Sequence, residues 1–332
     1  MTDAPEDIDA GVGLGPHRSL GRRVFAMAWP NLLYAFSDQG IRLIDMWLVG
    51  HVGAHAIGGL GLSHRVMILV AVAAMGVAAG AAPIIGQAAG AGDGARVRHT
   101  AAQMLRCMLL VGLGAGVVLR LIARPLLGSM RAAPAPVQAA TEYLDVISLG
   151  IVFLFLNFAF VSLFRALGQV RTPLVLVLLM NLLNLCLSYP LVVGWGAFDG
   201  LGVEGAAWGT IASRALGVGL AWVIWRRRRA ALPAPTHRAF FDLAVLRQSL
   251  AIGLPISGMG FLRMSATFVF FILFADLSQE VLAAASITTQ LRMSLIMPAL
   301  MLRVALQTLV SHSLGRSDFA EARRFTWLMQ LS

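Results

Sequence analysis

Apolar residues in this chain come in long, nearly unbroken runs. They do not alternate, and they do not form a single helical stripe. Runs cover 24–49, 56–89, 101–123, 142–166, 173–194, 204–225, 249–275 and 281–313, and a ninth starts near Phe325. A helix needs about 20 apolar residues to cross the hydrocarbon layer, and each full run is that long. The pattern predicts an all-α polytopic membrane protein. Residues 1–16 are acidic, rich in glycine and without periodicity, which predicts a disordered tail. The tail lacks the basic start and short apolar run of a secretory signal. The expected division is a cytoplasmic tail over 1–20, a six-helix lobe over 21–225, a linker over 226–246 and a partial second lobe over 247–332.

Polar residues inside the runs mark candidate chemistry. The first run carries Asp38, Arg42 and Asp45 at i+4 and i+3 steps, which share one helix face. A charge at mid-membrane costs roughly 2.5–3.5 kcal/mol, so such residues face a cavity or a partner. Arg42 is placed to hold a neighbouring carboxylate ionised. Pro30 removes one ladder hydrogen bond and predicts a kink below that face. In the fifth run Asn181, Asn184 and Ser188 share a face by the same spacing. They offer oxygens for sodium or a relay for a proton; plain interhelical hydrogen bonding is the alternative. Asn157 in the fourth run is a weaker member of the set.

Composition agrees with a bilayer. Hydrophobic residues make up 58% of the chain and charged residues only 13%. The net charge of +10 comes entirely from arginine, since the chain has no lysine. Those arginines are dispersed or sit at the ends of runs, so nucleic acid is not the expected partner. Arg22, Arg23, Arg96, Arg98, Arg171, Arg226–Arg229, Arg316, Arg323 and Arg324 alternate with arginine-free loops. By the positive-inside rule the amino terminus and the even-numbered loops are cytoplasmic. Arg124 and Arg131 run against the pattern. Arg65, Arg106, Arg214, Arg263, Arg292 and Arg303 fall inside runs and are expected to be buried and to need partners. Cys107 and Cys186 are isolated, and no metal-spaced set, Walker loop or dinucleotide fingerprint occurs. Ser257 and His312 are the nearest approach to a membrane serine-protease pair, and Ser257 lacks a convincing nucleophile setting. The chain is expected not to be an enzyme and to need no cofactor.

An internal repeat organises the runs. At an offset of 225, Arg22, Ala26 and Pro30 match Arg247, Ala251 and Pro255. At the same offset Gly90, Asp93, Ala95 and Arg98 match Gly315, Asp318, Ala320 and Arg323. Six helices per copy keep both copies in one orientation, giving a parallel repeat with substrate sites between the halves. The second copy is incomplete, and the expected whole is a twelve-helix protein of about 440 residues.

Several segments resemble the multidrug and toxic compound extrusion (MATE) family. They are Asp45-Met46-Trp47-Leu48-Val49-Gly50 with Gly53, and Gly86-Gln87 with Gly90, Gly92 and Asp93. Gly168 with Arg171-Thr172-Pro173, Asn184, Gly202-Val203-Glu204-Gly205-Ala206-Ala207 and Thr210 complete the set. The resemblance implies two six-helix lobes in a V. It also implies efflux of amphipathic, often cationic small molecules in exchange for protons or sodium, by a monomer in the inner membrane. It implies that Asp45 is the coupling acid, with Asn184, Ser188 and Thr210 as polar neighbours; Asp38 is a second candidate. Some members have an acid where this chain has Ser188, and some have one on helix seven at the position of Arg263. A lipid-linked precursor flippase of the same superfamily, or an inactive truncated transporter, is the alternative.

Overall fold

Helix α4 (Pro134–Ala166) is apolar on every side and is the buried post of the molecule. The computed structural model describes residues 20–129, 133–195, 198–235, 239–275 and 279–331. Residues 1–19 of the expected tail, and Arg131, lie outside the described residues. Around the post stand α1 (Leu20–Gly50), α2 (Ala54–Gly90), α3 (Gly94–Ser129), α5 (Arg171–Val193) and α6 (Val203–Ala230). These six helices form the first lobe. The second lobe contributes α7 (Leu243–Ala275), α8 (Gln279–Gly315) and α9 (Phe319–Leu331). Seven helices, α2 to α8, contain a stretch long and apolar enough to cross a membrane. Helix α1, which carries Pro30, Asn31 and Gln39 as well as Asp38, Arg42 and Asp45, is not among the seven.

The helices outrun the apolar stretches that predicted them. Helix α6 continues through Arg226–Arg229 to Ala230, so that basic run is a last helical turn and not the start of the linker. Cations there complement the negative end of the helix dipole. Helix α4 starts at Pro134, where proline's missing N–H costs nothing. Helix α9 starts at Phe319, capped through Asp318, and not near Phe325. A two-residue antiparallel pair, β1 (Gly194–Trp195) with β2 (Phe198–Asp199), fills the loop after α5. Helix α1 runs on through Pro30, and α7 through Pro255.

The repeat is reproduced bond by bond. Asp93 Oδ1 accepts from Arg96 N, and Asp318 Oδ1 accepts from Glu321 N, both at 2.9 Å. Asp93 N donates to Ala88 O, and Asp318 N donates to Ser313 O, both at 2.9 Å. Gly92 and Ser317 occupy the left-handed region at φ 71° and 60°. Ser317 is the one described non-glycine residue there, held by the turn its counterpart makes freely.

The lobes meet along a seam. Gly76 and Gly80 of α2 press on the backbone of α7 at Gly253 and Ser249. Further along, Gly90 abuts the backbone of His312, and Gly315 abuts that of Gln87. Gln87 and His312 are themselves 225 residues apart, so the two contacts exchange under the repeat. Gly86 faces Ser311, its own equivalent, which places a local two-fold axis there. His312 Nε2 donates to Ala166 O at 2.6 Å. Arg23, buried at the start of α1, pairs with Glu321 of α9, which also takes Ser313 Oγ at 2.7 Å and Arg316 at 2.9 Å. The contacts of Gly90, Gly315, Arg23 and Glu321 lie at the end of the molecule that carries Arg96, Arg98 and Arg226–Arg229, here called the basic end.

The linker that joins the lobes is pinned to α3. Gln103 donates to Ala239 O and accepts from Asp242 N, each at 3.2 Å. Arg106 reaches Ala239 O and Phe240 O and lies 4.8 Å over the Phe240 ring. His99 Nε2 meets Asp242 Oδ2 at 3.0 Å, while Asp242 Oδ1 caps α7 by accepting from Ala244 N.

Candidate functional site

Asp45 lies one turn before the end of α1, where α5 and α6 close over it. It is 1% exposed. Thr210 of α6 donates its hydroxyl to Asp45 Oδ2 at 3.0 Å. Asn184 of α5 donates its amide to Thr210 Oγ1 at 3.2 Å. Asn184 and Ser188 are fully buried. Gly209 allows α6 to sit directly on Ser188, because a Cβ there would strike its hydroxyl. Three oxygens of this group, Asp45 Oδ1, Asn184 Oδ1 and Ser188 Oγ, are buried with no hydrogen-bond partner. Buried polar atoms are normally paired, so an orphan set marks a place for a ligand, a proton or water. An all-oxygen set of this kind suits a proton on the carboxylate or a hard monovalent cation.

Other sequence candidates fall outside this group. Arg42 pairs with Asp38 at 3.5 Å and with Gln39, whose Oε1 takes Arg42 Nε at 3.0 Å. Helical side chains lean toward the N-terminus, so Arg42 reaches back to 38 and 39 and not forward to Asp45. The expected Arg42 brace on Asp45 is therefore absent; Asp38 is part-exposed and belongs to a separate pair. Asn181 donates to Ser37 O of α1 at 2.7 Å, across the gap left by Gly40. Asn157 is buried beside Tyr34, which interacts with it. Pro30 lies 15 residues before Asp45 on the same helix. Ser257 and His312 pack against Gly76 and Gly90, about 21 Å apart along α2, which separates the pair.

Several neighbours were not singled out by spacing. Tyr143 and Arg214 both act electrostatically with Asp45. His64 stands edge-on to Tyr143, with ring centres 6.4 Å apart. Tyrosine rarity was the available signal: the chain has three, and Tyr34 and Tyr143 are both buried in the first lobe. Of the arginines expected to be buried, Arg65, Arg263, Arg292 and Arg303 are on exposed faces, and Arg106 holds the linker. Arg124, which broke the loop pattern, is paired with Arg120 to Asp145 of α4 at 3.1 and 2.9 Å.

Comparison with known proteins bears on this arrangement. The MatE family model matches residues 30–190 and 255–329. A probable multidrug resistance protein NorM of Bradyrhizobium diazoefficiens is 27% identical over 308 residues, 90% of this chain and 64% of the relative. A probable NorM of Thermotoga maritima is 29% identical over 282 residues, 83% of this chain and 59% of the relative. The chain thus spans less than two thirds of the length of these two curated relatives. An FAD transporter of Shewanella oneidensis is 24% identical over 311 residues, covering 92% of this chain and 68% of the relative. Among solved structures, a MOP superfamily transporter from Pyrococcus furiosus superposes with TM-score 0.85 at 20% identity, over 99% of this chain and 71% of that one. A MATE protein in the bent conformation gives TM-score 0.83 at 22% identity, over 93% and 68%. These two likenesses are of fold.

Proposed function

Since this chain belongs to the MatE family, we propose that it forms the coupling lobe, and part of the partner lobe, of a transporter. The transporter exports amphipathic small organic compounds in exchange for an inward-moving proton or sodium ion. The observation that carries this reading is the buried Asp45 with its orphan oxygens. A carboxylate held in the membrane with a spare oxygen, beside those of Asn184 and Ser188, is suited to take up and release a cation. Relatives named as multidrug resistance proteins support a drug-like cargo.

The cycle has three parts. A cation from outside neutralises Asp45. Helix α1, weakened at Pro30 by the lost ladder bond, bends and reshapes the interior of the first lobe. The lobes then rock about the seam at the basic end. The arginine distribution supports a cytoplasmic basic end and a cytoplasmic amino terminus. The cation shifts this equilibrium only through its different affinity for the two states.

The test is dye efflux from vesicles holding wild type or Asp45→Asn, driven in turn by a pH gradient and by a sodium gradient. The reading expects one gradient to drive efflux in wild type and neither to do so in D45N, with the variant still inserted and folded. Equal gradient-driven efflux in D45N would sink the reading. The gradient that works in wild type names the ion.

A further inference from the structure

Two guanidiniums inside the first lobe carry buried N–H groups with no acceptor. Arg165 ends α4 with its guanidinium 4.5 Å from the Tyr34 ring centre. Its Nε and Nη2 are buried and have no hydrogen-bond acceptor. Arg214, on the turn of α6 after Thr210, likewise has a buried Nε without an acceptor. The charges of both, from two helices, act on the Tyr34 hydroxyl, as does that of Asp38. The acids of α1 act on them through space, Asp38 on Arg165 and Asp45 on Arg214, but neither is hydrogen-bonded to these buried N–H groups. Asp38 is engaged by Arg42 at 3.5 Å, and Asp45 takes the Thr210 hydroxyl.

A guanidinium carries five donors in a fork that fits a carboxylate or phosphate. Leaving such donors unpaired away from water is costly, and an ionisable group inside a membrane span is retained for a partner or a ligand. Stacking on Tyr34 satisfies the face of Arg165 but none of its N–H groups. We propose that Arg165 and Arg214, beside Tyr34 and Asn157, bind the carboxylate or phosphate group of an anionic amphiphile carried through the first lobe. This rests on the exporter reading and narrows its cargo, against the cationic compounds implied by the family resemblance. Coupling is then conformational. Tyr34 and Asp45 share α1, so a bend at Pro30 carries Tyr34 relative to Arg165, and cargo and cation do not compete for one charge.

The probes are fluorescein and rhodamine 6G, two dyes of the same ring system and opposite charge. Their affinities are read by fluorescence anisotropy on the full chain in phosphatidylcholine nanodiscs. Wild type is expected to prefer fluorescein. Arg165→Gln and Arg214→Gln should each lower the fluorescein to rhodamine 6G affinity ratio about tenfold or more, and Arg165→Lys should recover part of it. Two variants on separate helices keep the test sound if one fails to fold. Preference for rhodamine 6G, binding of neither dye, or a ratio unmoved in both glutamine variants overturns the site. Replacing half the lipid with phosphatidylglycerol should leave fluorescein binding intact; its loss would give the site to lipid headgroups and overturn the cargo assignment. The exporter reading fails separately, through gradient-driven efflux that survives D45N.

Discussion

Thr210 Oγ1 lies 3.0 Å from Asp45 Oδ2 and joins two helices whose bonded residues are 165 positions apart. The same oxygen accepts from Asn184, so one hydroxyl orients both the acid and the amide. Thr210→Val keeps the shape and removes the hydroxyl. A hydrogen bond to a charged group contributes about 1.5–3 kcal/mol. Initial rates of gradient-driven efflux should fall about tenfold or more in T210V and return toward wild type in T210S. Equal rates in all three would remove Thr210 from the coupling group.

The reciprocal contacts of Gly90 on His312 and Gly315 on Gln87 predict paired effects. Valine at either position forces two helix backbones apart, and overpacking of this kind costs about 1–3 kcal/mol. G90V and G315V should lower the melting temperature by similar amounts, as read by a thiol-dye melt in detergent. A large effect in one and none in the other would contradict the two-fold relation of the seam.

Glu321 predicts an acid-sensitive closure. Burial works against its charge, but the bonds from Ser313 and Arg23 outweigh it and hold the carboxyl below its ordinary range. This contribution is fully present above about pH 4.3, the unfolded value, and is lost as pH falls through the lower folded value. Glu321→Gln leaves the buried Arg23 without its charge partner, a change that costs about 3–5 kcal/mol at fully buried sites and less here. E321Q should melt below wild type at pH 7, and the gap should close toward pH 3.

The linker clasp can be opened by cutting its side chains. Gln103→Ala with Arg106→Ala removes four of the bonds that hold Ala239, Phe240 and Asp242. Chymotrypsin should then cleave at Phe240 and Phe241 several-fold faster in the double variant, followed by intact mass. The His99 hydrogen bond, first among its causes, holds the Asp242 carboxyl below the ordinary range. That contact therefore persists above about pH 3.9 and weakens only as pH falls below it. Acid exposure should speed cleavage of wild type and leave the double variant less changed.

Much of the fold was written in the apolar runs. Residues 142–166 read as a helix without a polar face, and α4 is the buried post. The offset of 225 gave the repeat, although its reciprocal seam required three dimensions. The site was less legible. Spacing alone grouped Arg42 with Asp45, but the lean of helical side chains sends Arg42 to Asp38. Asn181 and Asn184 share a face by spacing, yet one bonds Ser37 and the other Thr210, because α1 and α6 flank that face from different sides. Thr210 entered only through family resemblance, since nothing local distinguishes it from a threonine packed in a helix. The clasp was open to pattern reading: His99, Gln103 and Arg106 follow i, i+4, i+7 along α3.

In the proposed rocking of the lobes, the position of the seam on α2 makes that helix a lever. Its fulcrum, Gly86 against Ser311, lies near the basic end, while Ala54 stands 32 residues away. At 1.5 Å per residue the long arm is about 48 Å. A tilt of about 6° at the glycines therefore swings the far end by about 5 Å, roughly the width of an aliphatic side chain. The contact at Gly90, about 6 Å from the fulcrum, then slides by about 0.6 Å, and that at Gly76, about 15 Å away, by about 1.6 Å. A bulky residue at the fulcrum would jam the stroke even where every side chain around Asp45 is intact.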